Sequence, residues 1–113
     1  MKIERYSFGE IVINGNKFTS DLKLFPNMIK ANWWRKEGHN LLPEDMEDVI
    51  QENPEIVIIG TGKLGVMKVS KEFIELARSN NIKLIIENTE KAIDIFNKLP
   101  DKNKVIAVFH LTC

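Results

Sequence analysis

The sequence predicts an α/β fold of three layers around a central mixed sheet, with a βαβαβ C-terminal half and an N-terminal antiparallel meander. Three observations predict it. Short apolar runs at 56–59, 82–86 and 105–109 alternate with stretches of helical periodicity. The first third is turn-rich, with Asn14-Gly15 set between two strand-like runs. The character changes near residue 42 with no Ser/Pro/Gly-rich linker, and 113 residues are too few for two domains. A single domain over residues 1–113 is therefore expected.

The elements follow in order. Tyr6-Ser7-Phe8 and Glu10 to Ile13 read as strand broken at Gly9, and Asn16 to Thr19 returns after the Asn-Gly turn, whose two central positions need positive φ. Leu22-Lys23-Leu24 alternates like a strand, Pro26-Asn27 turns, and Met28 to Trp34 pairs back. Pro43 suits a first helical position, Glu44, Asp45 and Glu47 complement the dipole, and Asn53-Pro54 stops that helix. Asp45, Glu47 and Asp48 read as a solvated helix face.

Ile56 to Ile59 is an apolar run ending at Gly60, as in a strand covered on both faces. Ser70 caps a helix with Phe73, Ile74, Leu76 and Ala77 inward. Ile82 to Ile86 is the next strand. Thr89 caps a second helix, with Ala92, Ile93, Phe96 and Leu99 inward, and Val105 to Phe109 is the last strand. Right-handed crossovers would make the three strands parallel.

Composition excludes several classes. With 43% hydrophobic and 28% charged residues the chain has a globular profile, not a disordered one. Sixteen Lys+Arg balance sixteen Asp+Glu, so no bulk field steers it to nucleic acid or anionic lipid. The single cysteine, Cys113, rules out an internal disulfide and suits a reducing compartment. The N-terminal segment is not a signal peptide, and no apolar run approaches the ~20 residues that span a bilayer. A cytoplasmic protein without a membrane partner is expected.

In open α/β sheets ligands bind beyond the carboxyl ends of the strands. Those ends are Gly60-Thr61-Gly62, Glu87-Asn88-Thr89 and His110 to Cys113. Gly60 to Gly65 spells G-x-G-x-x-G, and Glu87 follows Gly65 by about the twenty residues at which a ribose-binding acid stands in a dinucleotide fingerprint. Against that, Val66 to Val69 reads as extended where the fingerprint should open a helix. The candidate ligand or anion residues here are Thr61, Gly62, Gly65, Glu87, Thr89 and His110, with tight glycine packing as the structural alternative.

His110 and Cys113 would face opposite ways in a strand, so they read as a sheet-end histidine and a small apolar thiol. Trp33-Trp34-Arg35 to His39 is a third cluster. Adjacent residues in an extended segment face opposite ways, so one tryptophan is expected in the core. Trp33 is the candidate for the exposed one, with Arg35 and His39 beside it in a protein contact. No acid pair, H-E-x-x-H, C-x-x-C or P-loop lysine occurs, so no catalytic residue, metal or cofactor is implied and the reading leans away from an enzyme.

Phe8-Gly9, Asn14-Gly15, Asp21, Trp34-Arg35, Gly38-His39, Ile59 to Gly62 with Gly65, Thr89-x-x-Ala92 with Asn97, and His110 to Cys113 form an ordered set covering nearly the whole chain. The set resembles a family of small α/β domains of unknown function. That family includes archaeal and bacterial single-domain proteins, the adipogenesis-associated cytosolic protein of animals, and a mitochondrial complex I assembly factor. The resemblance implies a three-layer fold with at least one antiparallel strand, no known cofactor, and a role through protein contacts. Where the family often carries proline this chain has Asn88, so a looser turn is expected there.

Two readings follow, and self-association through an edge strand of the meander or the exposed tryptophan is a third. The first is a non-catalytic protein-binding or assembly module. The second is a small-ligand, anion or nucleotide-binding protein or enzyme that uses the Gly60–Gly65 loop.

Overall fold

A computed structural model describes all residues from Met1 to Cys113. The strands are β1 (Ile3–Ser7), β2 (Glu10–Ile13), β3 (Asn16–Phe18), β4 (Leu22–Phe25), β5 (Met28–Lys30), β6 (Asn40–Leu41), β7 (Ile56–Thr61), β8 (Lys68–Val69), β9 (Lys83–Glu87) and β10 (Val105–His110). A 3-10 turn at Pro43–Met46 leads into α1 (Glu47–Gln51), followed by α2 (Lys71–Ser79) and α3 (Thr89–Lys98).

The central sheet has the order β5-β4-β10-β7-β9. β10, β7 and β9 run parallel, and β4 and β5 add antiparallel strands at one edge. The three carboxyl ends therefore converge on one rim, as the apolar runs predicted. α2 carries the chain from β7 to β9, and α3 carries it back past β7 to β10. The two crossovers travel in opposite directions over opposite faces and so share one hand.

Both sheet faces are covered, which is why the parallel strands are apolar at nearly every position. Along β7, Val57 and Ile59 join a core with Phe73 and Ala77 of α2, Val49 of α1, Met46 and Trp33. Ile58, from the same strand, joins the opposite core with Ala92, Ile93 and Phe96 of α3 and Ile3, Ile11 and Ile13 of the first hairpins.

The N-terminal strands do not stay together. β1, β2 and β3 form their own antiparallel sheet over the α3 face, whereas β4 and β5 extend the main sheet. Asn14 (φ 49°) and Gly15 (φ 81°) make the turn that Asn-Gly foretold. Gly9 (φ 80°) is a second hairpin turn, not a break within one strand. The run Met28 to Trp34 pairs only as far as Lys30.

One helix start stands where expected and one shifts by a residue. Ser70 caps α2 by accepting from the Phe73 amide. α3 is capped by Asn88, whose side chain accepts from the Lys91 amide, so the turn expected to be loose is tied down and Thr89 is free for other work. No helix is long and apolar enough to cross a membrane.

Candidate functional site

β4 runs antiparallel to β10 with Leu22 opposite Phe109, which sets Asp21 beside His110 at the rim. The Asp21 carboxylate collects three donors there. Its Oδ2 accepts from His110 Nδ1 at 2.7 Å and from Arg35 Nη2 at 2.9 Å, and its Oδ1 accepts from the Leu111 amide at 2.7 Å. A carboxylate only accepts, so His110 Nδ1 carries a proton toward Asp21, and Nε2 lies 3.5 Å from the Thr112 hydroxyl. Arg35 is fixed further by donating from Nε and Nη2 to the Gly38 carbonyl at 2.9 and 2.7 Å.

This cluster is largely dry, with the Arg35 side chain only 5% exposed. Burial alone would raise the Asp21 carboxyl. The His110 and Leu111 hydrogen bonds, the His110 charge and the Arg35 hydrogen bond outweigh burial and hold the carboxyl below its ordinary value.

The cluster forms the wall of a groove of about 510 Å³ bordered by Thr19, Ser20, Asn32, Trp34, His39 and Thr112. The His39 ring stands edge-on to His110, with centroids 5.6 Å apart. Trp34 is 85% exposed. Two buried N–H groups of residues that border it, Trp33 Nε1 and Arg35 Nη1, have no acceptor within the protein.

The exposed tryptophan is thus Trp34, and the expectation for Trp33 is corrected. Trp33 is 8% exposed, packed in the α2-side core with Arg35 Cζ 4.6 Å from its ring centroid and Lys23 Nζ 5.4 Å away. These cations select it for the inside, since a buried ammonium and guanidinium gain from an aromatic face. Arg35 is likewise buried, not an outward contact residue, while His39 is exposed.

The strand-end residues meet as the parallel sheet requires. The Thr61 hydroxyl donates to the Glu87 carbonyl at 3.1 Å, and the Gly62 amide donates to Thr89 Oγ1 at 2.8 Å. That hydroxyl in turn donates to the His110 carbonyl at 2.6 Å. The Glu87 carboxylate lies apart from these, 3.7 Å from Lys91 Nζ.

The loop amides are all committed. Lys63 donates to the Thr112 carbonyl at 2.7 Å, Leu64 and Val66 donate to the Cys113 carbonyl, and Gly65 donates to Gly62. An anion at this turn would have to displace these internal acceptors. Nor does the loop open a helix, since Val66 and Met67 lead into β8. A Cβ on Gly62 (φ 108°) would overlap the Cys113 carbonyl carbon and stand 2.8 Å from His110 Cδ2. No group of three or more His, Cys, Asp or Glu residues is close enough to hold a metal ion.

A profile described as "Protein of unknown function (DUF498/DUF598)" matches residues 3–110. The chain belongs to the DUF498/DUF598 family. Among solved structures it is similar to PH1505, a conserved hypothetical protein of Pyrococcus horikoshii. The two are 27% identical over 100% of both chains, with a TM-score of 0.85. An outer membrane protein from Bartonella henselae shares 22% identity over 98% of this chain and 94% of that one, with a TM-score of 0.82. A Bordetella pertussis protein described as a Mth938-like domain shares 14% identity over 97% of this chain and 85% of its own, at 0.63. The last two carry the fold alone, so this DUF498/DUF598 member has the Mth938-like fold.

Proposed function

We propose that the protein is a non-catalytic binding module that receives a segment of a partner protein in the Trp34 groove, in a reducing, cytoplasmic setting. One observation carries this reading: an 85% exposed tryptophan borders an open groove of about 510 Å³. Trp34 would cover an apolar side chain of the partner there. His39 stands exposed on the same rim. The resemblance to a family with a complex I assembly factor among its members supports action through protein contact.

The alternative, a nucleotide, phosphate or other small ligand held by Thr61, Gly62, Gly65, Glu87, Thr89 and His110, has less support, because the loop amides already donate within the chain.

A photo-reactive residue at position 34 tests the reading. A protein partner cross-links from position 34 and not from exposed position 71. The purified partner then binds Trp34→Ala about thirtyfold more weakly at unchanged melting temperature, as removing a tryptophan hot spot of ~2 kcal/mol requires. Equal binding by that variant overturns the reading. So does stabilisation by a nucleotide or phosphate approaching the ~2.7 kcal/mol expected at a hundredfold excess over the dissociation constant.

A further inference from the structure

β9 lies at the edge of the central sheet with no neighbour on its outer side. It contains no proline, glycine or bulge among its five residues, Lys83–Glu87. The other sheet edges are blunted. β5 is three residues long and carries Lys30, which is paired to Asp48, β3 is also three residues long, and β1 is irregular between Ile3 and Arg5. An open apolar edge such as β9, with Ile86 38% exposed, invites another strand.

The phase of β9 defines which strand fits. The Lys83 amide donates inward to Glu55, so the backbone groups of Leu84 and Ile86 point outward by alternation. The side chains alternate as well: Ile85 packs against the α3-side core and Leu84 against the α2-side core.

We infer that β9 pairs antiparallel with β9 of a second copy of this chain about a two-fold axis through Ile85. That register sets Leu84 opposite Ile86 as a hydrogen-bonded pair on either side of the axis, so each outward backbone group meets a partner. It sets Lys83 opposite Glu87 twice, on the same face, so the charges at the two ends of the strand are complementary to themselves, with Glu87 half-buried beside Lys91. Centring the axis on Leu84 would spend a bond on Ile82, whose amide already donates to Ala77. Centring it on Ile86 would leave Lys83 without its acid. A concavity of about 490 Å³ beside the strand, lined by Ile74, Arg78, Asn81, Ile82, Lys83 and Leu84, lies where the second copy would sit. The pairing is isologous, joins two five-stranded sheets into one, and closes at two copies.

Sedimentation at low and high concentration reads the outcome. The wild-type chain shifts from monomer to dimer. Lys83→Glu and Glu87→Lys each create two like-charge pairs and weaken the dimer roughly tenfold, and the double variant regains it. Ile86→Lys abolishes the dimer, and Trp34→Ala leaves it unchanged. In a Cys113→Ser background, Ile85→Cys oxidises to a covalent dimer, because residues facing each other on the axis have Cα atoms about 4.5 Å apart. Lys83→Cys does not. A wild-type chain that stays monomeric overturns the inference, and so does a double variant no stronger than the single ones or a failure of Ile85→Cys to cross-link.

Discussion

Asp21 is the residue on which the groove wall depends, because it is the shared acceptor of His110, Leu111 and Arg35. Its carboxyl is held below the ordinary value of about 3.9. A depressed carboxyl contributes stability in full above its unfolded value and loses it as pH falls through its folded value. Acidification below about pH 5 should therefore destabilise the wild type progressively. Asp21→Asn should lose about 3 kcal/mol at neutral pH, since it leaves a buried guanidinium unpaired, and should show a flatter decline in acid. Denaturant midpoints from neutral pH into acid measure both, and an unchanged slope would remove Asp21 as the source. Some slope remains in any case. Asp48 is also depressed: burial opposes it, but the hydrogen bonds and charges of Lys23 and Lys30 prevail. At Gly62 the close backbone approach by itself requires glycine. Gly62→Val should cost about 2–4 kcal/mol, through positive φ and collision with the Cys113 backbone. A melting temperature equal to wild type would contradict this. Neither site was fully legible in the sequence. Positive φ at a strand end is a local signal and could be read at Gly62. The pairing of Asp21 with His110 spans 89 positions and depends on β4 lying antiparallel beside β10, which no local pattern encodes.

At the scale of elements, periodicity was legible wherever burial was one-sided or complete. The stripes of α2 and α3 and the apolar runs of β7, β9 and β10 all stand where their patterns put them. What escaped was decided by contacts between elements. Trp33 and Trp34 are equivalent to any alternation rule, and only the cations of Lys23 and Arg35 distinguish them. The meander split because its first strands cover α3 while β4 found β10, a choice of partner that turn chemistry leaves open. The start of α3 shows the consequence of a one-residue shift. Because Asn88 takes the cap, the Thr89 hydroxyl links β7 to β10 by accepting from Gly62 and donating to His110. Thr89→Val keeps the shape but strands two buried backbone groups, and should cost about 2–4 kcal/mol. Asn88→Ala removes only an exposed cap and should cost about 1 kcal/mol. Thermal melts of the two variants check the order, and a larger loss for Asn88→Ala would mean that the hydroxyl does not tie the strands.

The molecule as a whole has two cores and one sheet between them. Ile58 faces the α3 side and its neighbours Val57 and Ile59 face the α2 side; Ala107 and its neighbours Ile106 and Val108 repeat the division on β10. Neither core can lose its packing without exposing strands that the other also uses, so the layers should unfold as one cooperative unit. Length and the absence of a linker lead to the same expectation, and the shared strands would supply its mechanism. Phe73 of α2 and Phe96 of α3 provide the test, one on each face. Phe73→Ala and Phe96→Ala should each cost about 3–5 kcal/mol, a large share of the 5–15 kcal/mol typical of a domain. In a Trp34→Phe background the remaining tryptophan, Trp33, reports the α2 side, and Tyr6, which donates to the Leu111 carbonyl at 2.8 Å, reports the α3 side. Either substitution should move both reporters to the same lower denaturant midpoint. Should Phe73→Ala shift the Trp33 signal while Tyr6 keeps its wild-type midpoint, the two faces would be separate folding units, and the sheet would be a boundary between them instead of a shared core.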